Sequence, residues 1–123
     1  MANVVFKYSP EYVSTLAKRA IGNPALVEKI AEFKRVKAEN PVQPFGKNDT
    51  RMIADGPLGR AVPGIRHVHL TQDLSLFYTL AGAEPHVFYL YGIYSHNESG
   101  TGNSPNVKIQ KNLGKRLANT EFV

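Results

Sequence analysis

Hydrophobic positions in this chain recur first at helical spacing and then in the alternation of strands. Residues 3–7 (Asn-Val-Val-Phe-Lys) are β-branched and aromatic enough to predict a first strand. Ser9-Pro10-Glu11 follows, an N-cap, a first-turn proline and an early acid, and Val13, Leu16, Ala17 and Ala20 then recur at helical intervals up to Gly22. Asn23-Pro24 opens a second helix. Its apolar stripe is Leu26, Ile30, Phe33 and Val36, with Glu28, Lys29, Glu32, Lys34 and Arg35 turned to water. Because only Gly22-Asn23 separates the two, the expected unit is an antiparallel helical hairpin.

Punctuation takes over over residues 40–48, where Pro41, Pro44 and Gly46 predict a loop, and again at Asp55-Gly56-Pro57-Leu58-Gly59 after a short run over 51–54. From there the pattern alternates, with strands expected over 65–71, 74–80 and 86–94 joined by short turns at Gln72-Asp73 and 81–85. Three such strands in succession make an antiparallel meander. The fold class that follows is α+β: the helical hairpin packs on one face of an antiparallel sheet and leaves the other partly open. Beyond the small, polar stretch 100–105, residues 106–119 predict a C-terminal helix with Ile109, Leu113 and Leu117 on one stripe. Lys108, Lys111 and Lys115 run along another of its faces, joined by Arg116. Gly114 inside it costs about 1 kcal/mol relative to alanine, so the helix is expected to depend on docking.

The 123 residues, 42% hydrophobic with six phenylalanines, suit one core and one domain over 1–123. With no cysteine, disulfides and thiolate metal sites are excluded. No stretch resembles a signal h-region or a membrane span, so a soluble, cytoplasmic protein without a membrane partner is expected. Fifteen Lys and Arg against ten Asp and Glu give a formal charge of +5 and a pI near 9.6. That field attracts polyanions, and RNA is the favoured partner.

Candidate chemistry centres on histidine. His67 and His69 are two apart on an expected strand and so project from one face, with Val68 and Leu70 on the core side. His96, just past the last strand and Tyr94, can return to the same surface; His86, at the opposite end of that strand, reads as an ordinary surface histidine. Imidazole exchanges protons near neutrality. Internal RNA cleavage requires a base for the 2′-hydroxyl, an acid for the leaving 5′-oxygen and a cation for the phosphoryl group, while the nucleophile belongs to the substrate. Arg51, Arg60, Arg66 and the C-terminal Lys108, Lys111, Lys115 and Arg116 are available as cations and phosphate contacts. His67, His69, His96 and Asp73 also have ligand-like spacing, but the surrounding basic charge disfavours a bound cation, so no metal or other cofactor is expected.

At these residues the chain resembles a family. Gly64-Ile65-Arg66-His67-Val68-His69-Leu70-Thr71-Gln72-Asp73-Leu74-Ser75-Leu76-Phe77-Tyr78 resembles the central hairpin of RelE/ParE-superfamily toxins, and Gly92-Ile93-Tyr94-Ser95-His96 is similar to their last strand, which ends in a catalytic side chain. The likeness is greatest to the histidine-using YafQ-like branch, and it implies site roles for His69, Asp73 and His96, with Asp73 orienting His69. His67 and Tyr94 are further site candidates, Tyr94 as a reserve acid or stacking surface. Asp55-Gly56-Pro57 stands where that branch has a first site histidine, and Ser75 where RelE-like members carry an arginine. The basic tail beyond His96 is similar to that of YafO-like toxins. The resemblance implies an endoribonuclease toxin that cuts mRNA in the ribosomal A site and is restrained by an acidic or amphipathic segment of a cognate antitoxin. ParE-like relatives instead imply a non-nuclease toxin that binds and inhibits DNA gyrase, and a non-catalytic RNA-binding module is a third alternative.

Overall fold

Ser9 shows how the chain begins to fold. Its side chain accepts from the Tyr12 N–H at 2.9 Å, capping the first helix, while its hydroxyl donates to the Tyr91 carbonyl at 2.7 Å, tying that helix start to a distant strand. The computed structural model describes residues 3–46, 49–52, 56–102 and 104–123. They form β1 (Val4–Tyr8), α1 (Pro10–Ala20), α2 (Pro24–Glu39), β2 (Thr50–Arg51), α3 (Pro57–Ala61), β3 (Arg66–His69), β4 (Leu74–Ala81), β5 (His86–Ser95), α4 (His96–Ser99) and α5 (Val107–Ala118). The α+β reading is correct, as are the two capped N-terminal helices, the meander and the C-terminal helix. Alternation and helical spacing did not reveal β2, α3 or α4, each too short for a periodic signal. The turn reading at Asp55 and half of the run over 51–54 fall at residues 53–55, outside the described residues.

The strands order β1-β5-β4-β3-β2, with β1 parallel to β5 and the other pairs antiparallel. On one face Tyr12, Leu26, Ile30 and Phe33 of α1 and α2 close over Val68, Leu76, Tyr78, Phe88, Leu90 and Ile93. The other face, expected to be partly open, carries a second apolar cluster: Leu58 and Val62 from around α3 and Leu113 and Leu117 from α5 close on Ile65, Phe77 and Tyr94. A bulge makes both faces possible. Phe77 pairs with Gly92 but Tyr78 with Leu90, so Tyr91 is an extra residue that reverses the alternation of β5. Leu90 and Ile93 therefore share the first cluster, and Tyr94 turns to the second.

Two departures from the apolar pattern carry energy. In α2 the buried stripe runs Leu26, Ile30, Phe33 and then Lys37, not Val36, which is only half-buried. Lys37 Nζ donates to the fully buried Asp49 carboxylate at 2.7 Å and to the Gln43 carbonyl at 2.6 Å. The Tyr78 hydroxyl and the Phe45 N–H, the latter at 2.8 Å, also donate to Asp49, so this charge is paired on every side. The second departure is Gly114, where α5 crosses α3: a Cβ there would lie 2.8 Å from the Ala61 Cβ. Gly114→Ala would recover about 1 kcal/mol of helix propensity but overpack the crossing at a cost of about 1–3 kcal/mol. Thermal melts should show a net fall in Tm, partly restored by adding Ala61→Gly; a rise in Tm on the single change would mean that the two helices do not touch there.

Among the described residues no helix is long and apolar enough to cross a membrane.

Candidate active site

β3 presents Val68 to the first core and His67 and His69 to the opposite face. The first imidazole is held by a cross-strand partner. His67 pairs with Phe77 on β4, and the two rings stack with centroids 5.9 Å apart at 26°. His69 follows at 5.6 Å from His67, and His96 at 5.4 Å from His69. The three rings thus form a continuous row, and all three residues are half-buried.

His96 joins the row because β5 passes directly into α4. Ser95 caps that turn in a capping box with Glu98, placing His96 as the first helical residue. Glu98 also accepts a charged hydrogen bond from Arg19, which anchors the turn to α1. Gly102, in the left-handed region at φ 96°, lies against the His96 ring, where a Cβ would come within 3.0 Å of Cγ.

Electrostatics favour the neutral form of His67 and His69. Burial, then the neighbouring His69, push the His67 pKa below the ordinary 6.5, despite smaller opposing effects from Thr50 and Asp49. Burial and then His96 do the same for His69. At neutral pH His69 is therefore unprotonated and able to accept a proton.

The other candidates scatter. Asp73 is exposed in the β3–β4 turn and makes no hydrogen bond to His69 among the described residues. Tyr94 is not an exposed stacking surface. It is 3% exposed, and its hydroxyl donates to Glu11 Oε1 at 2.6 Å, as Arg116 does, also at 2.6 Å. Burial first, then the Glu11 carboxylate, push the Tyr94 pKa up, which leaves it a poor proton donor. Arg116 is thereby an anchor of α5 to α1 rather than a free cation. Arg66 projects from the face opposite His67 and His69, with Nε 3.7 Å from Asp49, because neighbours on a strand alternate. Arg51 is paired with Arg66 across β2 and β3, and both line a recess of about 230 Å³ with Lys37 and Tyr78 on that first face. Arg60, Lys108, Lys111 and Lys115 are exposed on α3 and α5. His86 lies at the far end of β5, paired with Val4. Periodicity alone could not identify Phe77 and Gly102 as supports of the row, since one requires the strand register and the other a tertiary contact. Among the described residues no group of three or more His, Asp or Glu is arranged to hold a metal ion.

No family profile matches the sequence, and no curated protein matches it. Solved structures do. A YoeB/ParE toxin from Agrobacterium tumefaciens superposes with a TM-score of 0.59 at 16% identity, over 76% of this chain and 98% of that one. A copper-bound mutant toxin from Helicobacter pylori superposes with a TM-score of 0.52 at 16% identity, over 80% of this chain and 98% of that one. The fold is therefore that of YoeB/ParE-type toxins.

Proposed function

We propose that the protein is a toxin of the RelE/ParE type that cleaves mRNA by metal-independent acid–base catalysis, acting on the ribosome and restrained by a cognate antitoxin. The observation that carries this reading is the row His67–His69–His96, half-exposed beside the second apolar cluster. A protein that only binds gyrase or RNA has no need of three adjoining, half-exposed imidazoles on one face of a sheet.

In the proposed reaction His69 takes the proton of a ribose 2′-hydroxyl, whose oxygen attacks the adjacent phosphorus. The bond to the 5′-oxygen breaks, His96 protonates that oxygen, and a 2′,3′-cyclic phosphate remains on the upstream fragment. Arg66 and Arg51 belong to the other face, so the positive charge beside the phosphoryl group is the imidazolium that His69 becomes on taking the proton, with His67 adjoining it as the third member of the row. Lys108, Lys111 and Lys115 on α5, and Arg60 on α3, take phosphates further along the strand. Within the superfamily the histidine roles correspond to the YafQ-like branch, and α5 to the YafO-like extension.

Primer-extension mapping of cellular mRNA after brief induction tests the reading. Cuts at fixed positions within codons are expected. Growth arrest without cuts, undiminished in the His69→Ala/His96→Ala variant, would instead favour ParE-like inhibition of gyrase.

A further inference from the structure

Next to the histidine row lies a recess of about 300 Å³ whose walls the chemistry above leaves unused. Met52, Leu58, Gly102, Pro105, Val107 and Gln110 are among its lining residues, and the lining is mainly apolar. Its place follows from register and packing. Thr50 pairs with His67, and Met52, two residues further along, donates its N–H to the Ile65 carbonyl at 2.9 Å, so Met52 continues on the face of His67. Gly102, also in the lining, sits against the His96 ring. The recess thus meets the last imidazole of the row at Gly102 and, through Met52, shares the sheet face of the first. Its polar side chains are Thr101, whose hydroxyl shares a 2.7 Å hydrogen bond with that of Ser99, and Gln110, whose Nε2 donates to the Gly100 carbonyl at 2.7 Å and whose oxygen has no partner among the described residues.

An apolar cleft at the lower end of ligand-pocket sizes, with two fixed polar side chains, suits a flat ring system better than a charged or extended ligand. The adjoining histidines, for their part, suit a phosphate. We infer that the recess is a nucleobase pocket: it holds the base of the nucleotide whose phosphate lies on the histidine row, and Gln110 accepts a hydrogen bond from a base N–H. The inference rests on the nuclease reading for the position of the phosphate. It makes α5 and the α4–α5 loop a substrate-reading element rather than only a basic tail.

The test is an NMR titration of the full chain with inorganic phosphate and, separately, with each of the four nucleoside 3′-monophosphates. Signals are followed at the histidine rings, the Met52 methyl and the Gln110 side-chain amide. Phosphate should move the histidines alone, whereas at least one nucleotide should move Met52 and Gln110 as well. Val107→Trp, at an exposed rim position, should weaken that nucleotide by about tenfold, some 1.4 kcal/mol, and leave phosphate binding unchanged. If nucleotides move the histidines while Met52 and Gln110 stay still, the pocket is refuted and the nuclease reading stands. If Met52 and Gln110 move while the histidines do not, the pocket stands and the placement of the phosphate is refuted. No shift at any of these positions overturns both.

Discussion

His69→Ala and His96→Ala are each expected to lower the rate of RNA cleavage by about 10²–10⁴-fold, the usual contribution of a positioned acid or base. The two side chains are adjacent in the row, with ring centroids 5.4 Å apart, so a phosphate seated against both meets a base and an acid at once. The wild-type pH–rate profile should be bell-shaped. Burial and the neighbouring His96 hold His69 below its ordinary 6.5, so the acidic limb, where the base becomes protonated and inactive, should fall below pH 6.5. His69→Ala should remove that limb, while the double variant should be little worse than either single one, since the pair acts as a unit. Tyr94→Phe should keep its cleavage rate, because the lost hydroxyl faces Glu11 and not the row. His86→Ala, at the other end of β5, should also be silent. Full activity in folded His96→Ala protein would break the assignment.

Asp49→Ala should be the most damaging single change to stability, at about 3–5 kcal/mol, because it leaves Lys37 buried without a counter-charge. Lys37 is 3% exposed, and among the described residues its ammonium donates only to Asp49 and the Gln43 carbonyl and faces the Phe33 and Tyr78 rings at 5.6 Å. Adding Lys37→Met should recover much of the loss, since replacing both partners of a buried pair is far less costly than orphaning one. Urea unfolding at pH 7 measures both variants, and an equal loss in the single and double variants would show that the pair itself is not what matters. The pH dependence adds a second readout. Burial alone would raise the Asp49 carboxyl, but hydrogen bonds from Lys37, Tyr78 and the Phe45 backbone outweigh it and hold the folded value below the ordinary 3.8. Unfolding releases that restraint, so the contribution is complete above the unfolded value and is lost as pH falls through the folded one. Wild-type stability should therefore drop in acid below about pH 4, near the unfolded carboxyl value, and the double variant should lack that part of the slope.

Local chemistry in the sequence determined the long elements of this protein. Ser9-Pro10 and Asn23-Pro24 specify where two helices start whatever surrounds them, because a side-chain acceptor and a fixed φ act within a single turn. Alternation placed His67 and His69 on one face for the same reason, strand geometry being strictly local. The meander carried the expectation that His96, just past the last strand, returns to their surface, and the row of rings now gives it a position.

What remained depended on contacts between residues far apart in the chain. The bulge at Tyr91 decides which way Tyr94 faces, and so it exchanges an expected surface aromatic for a buried anchor. It arises from the pairing of two strands, which neither strand encodes alone. Lys37 reads as one more charge on a helix until Asp49, 12 residues away, meets it inside the core. Gly114 reads as a weakness of α5 until Ala61 is found where its side chain would be. Arg66 reads as a partner of the adjacent His67, yet one residue along a strand is the other side of the sheet. Sequence spacing determined which groups share a face; only the assembled sheet and its two helical layers decided which faces stay open, because burial is a property of pairs of elements brought together by folding.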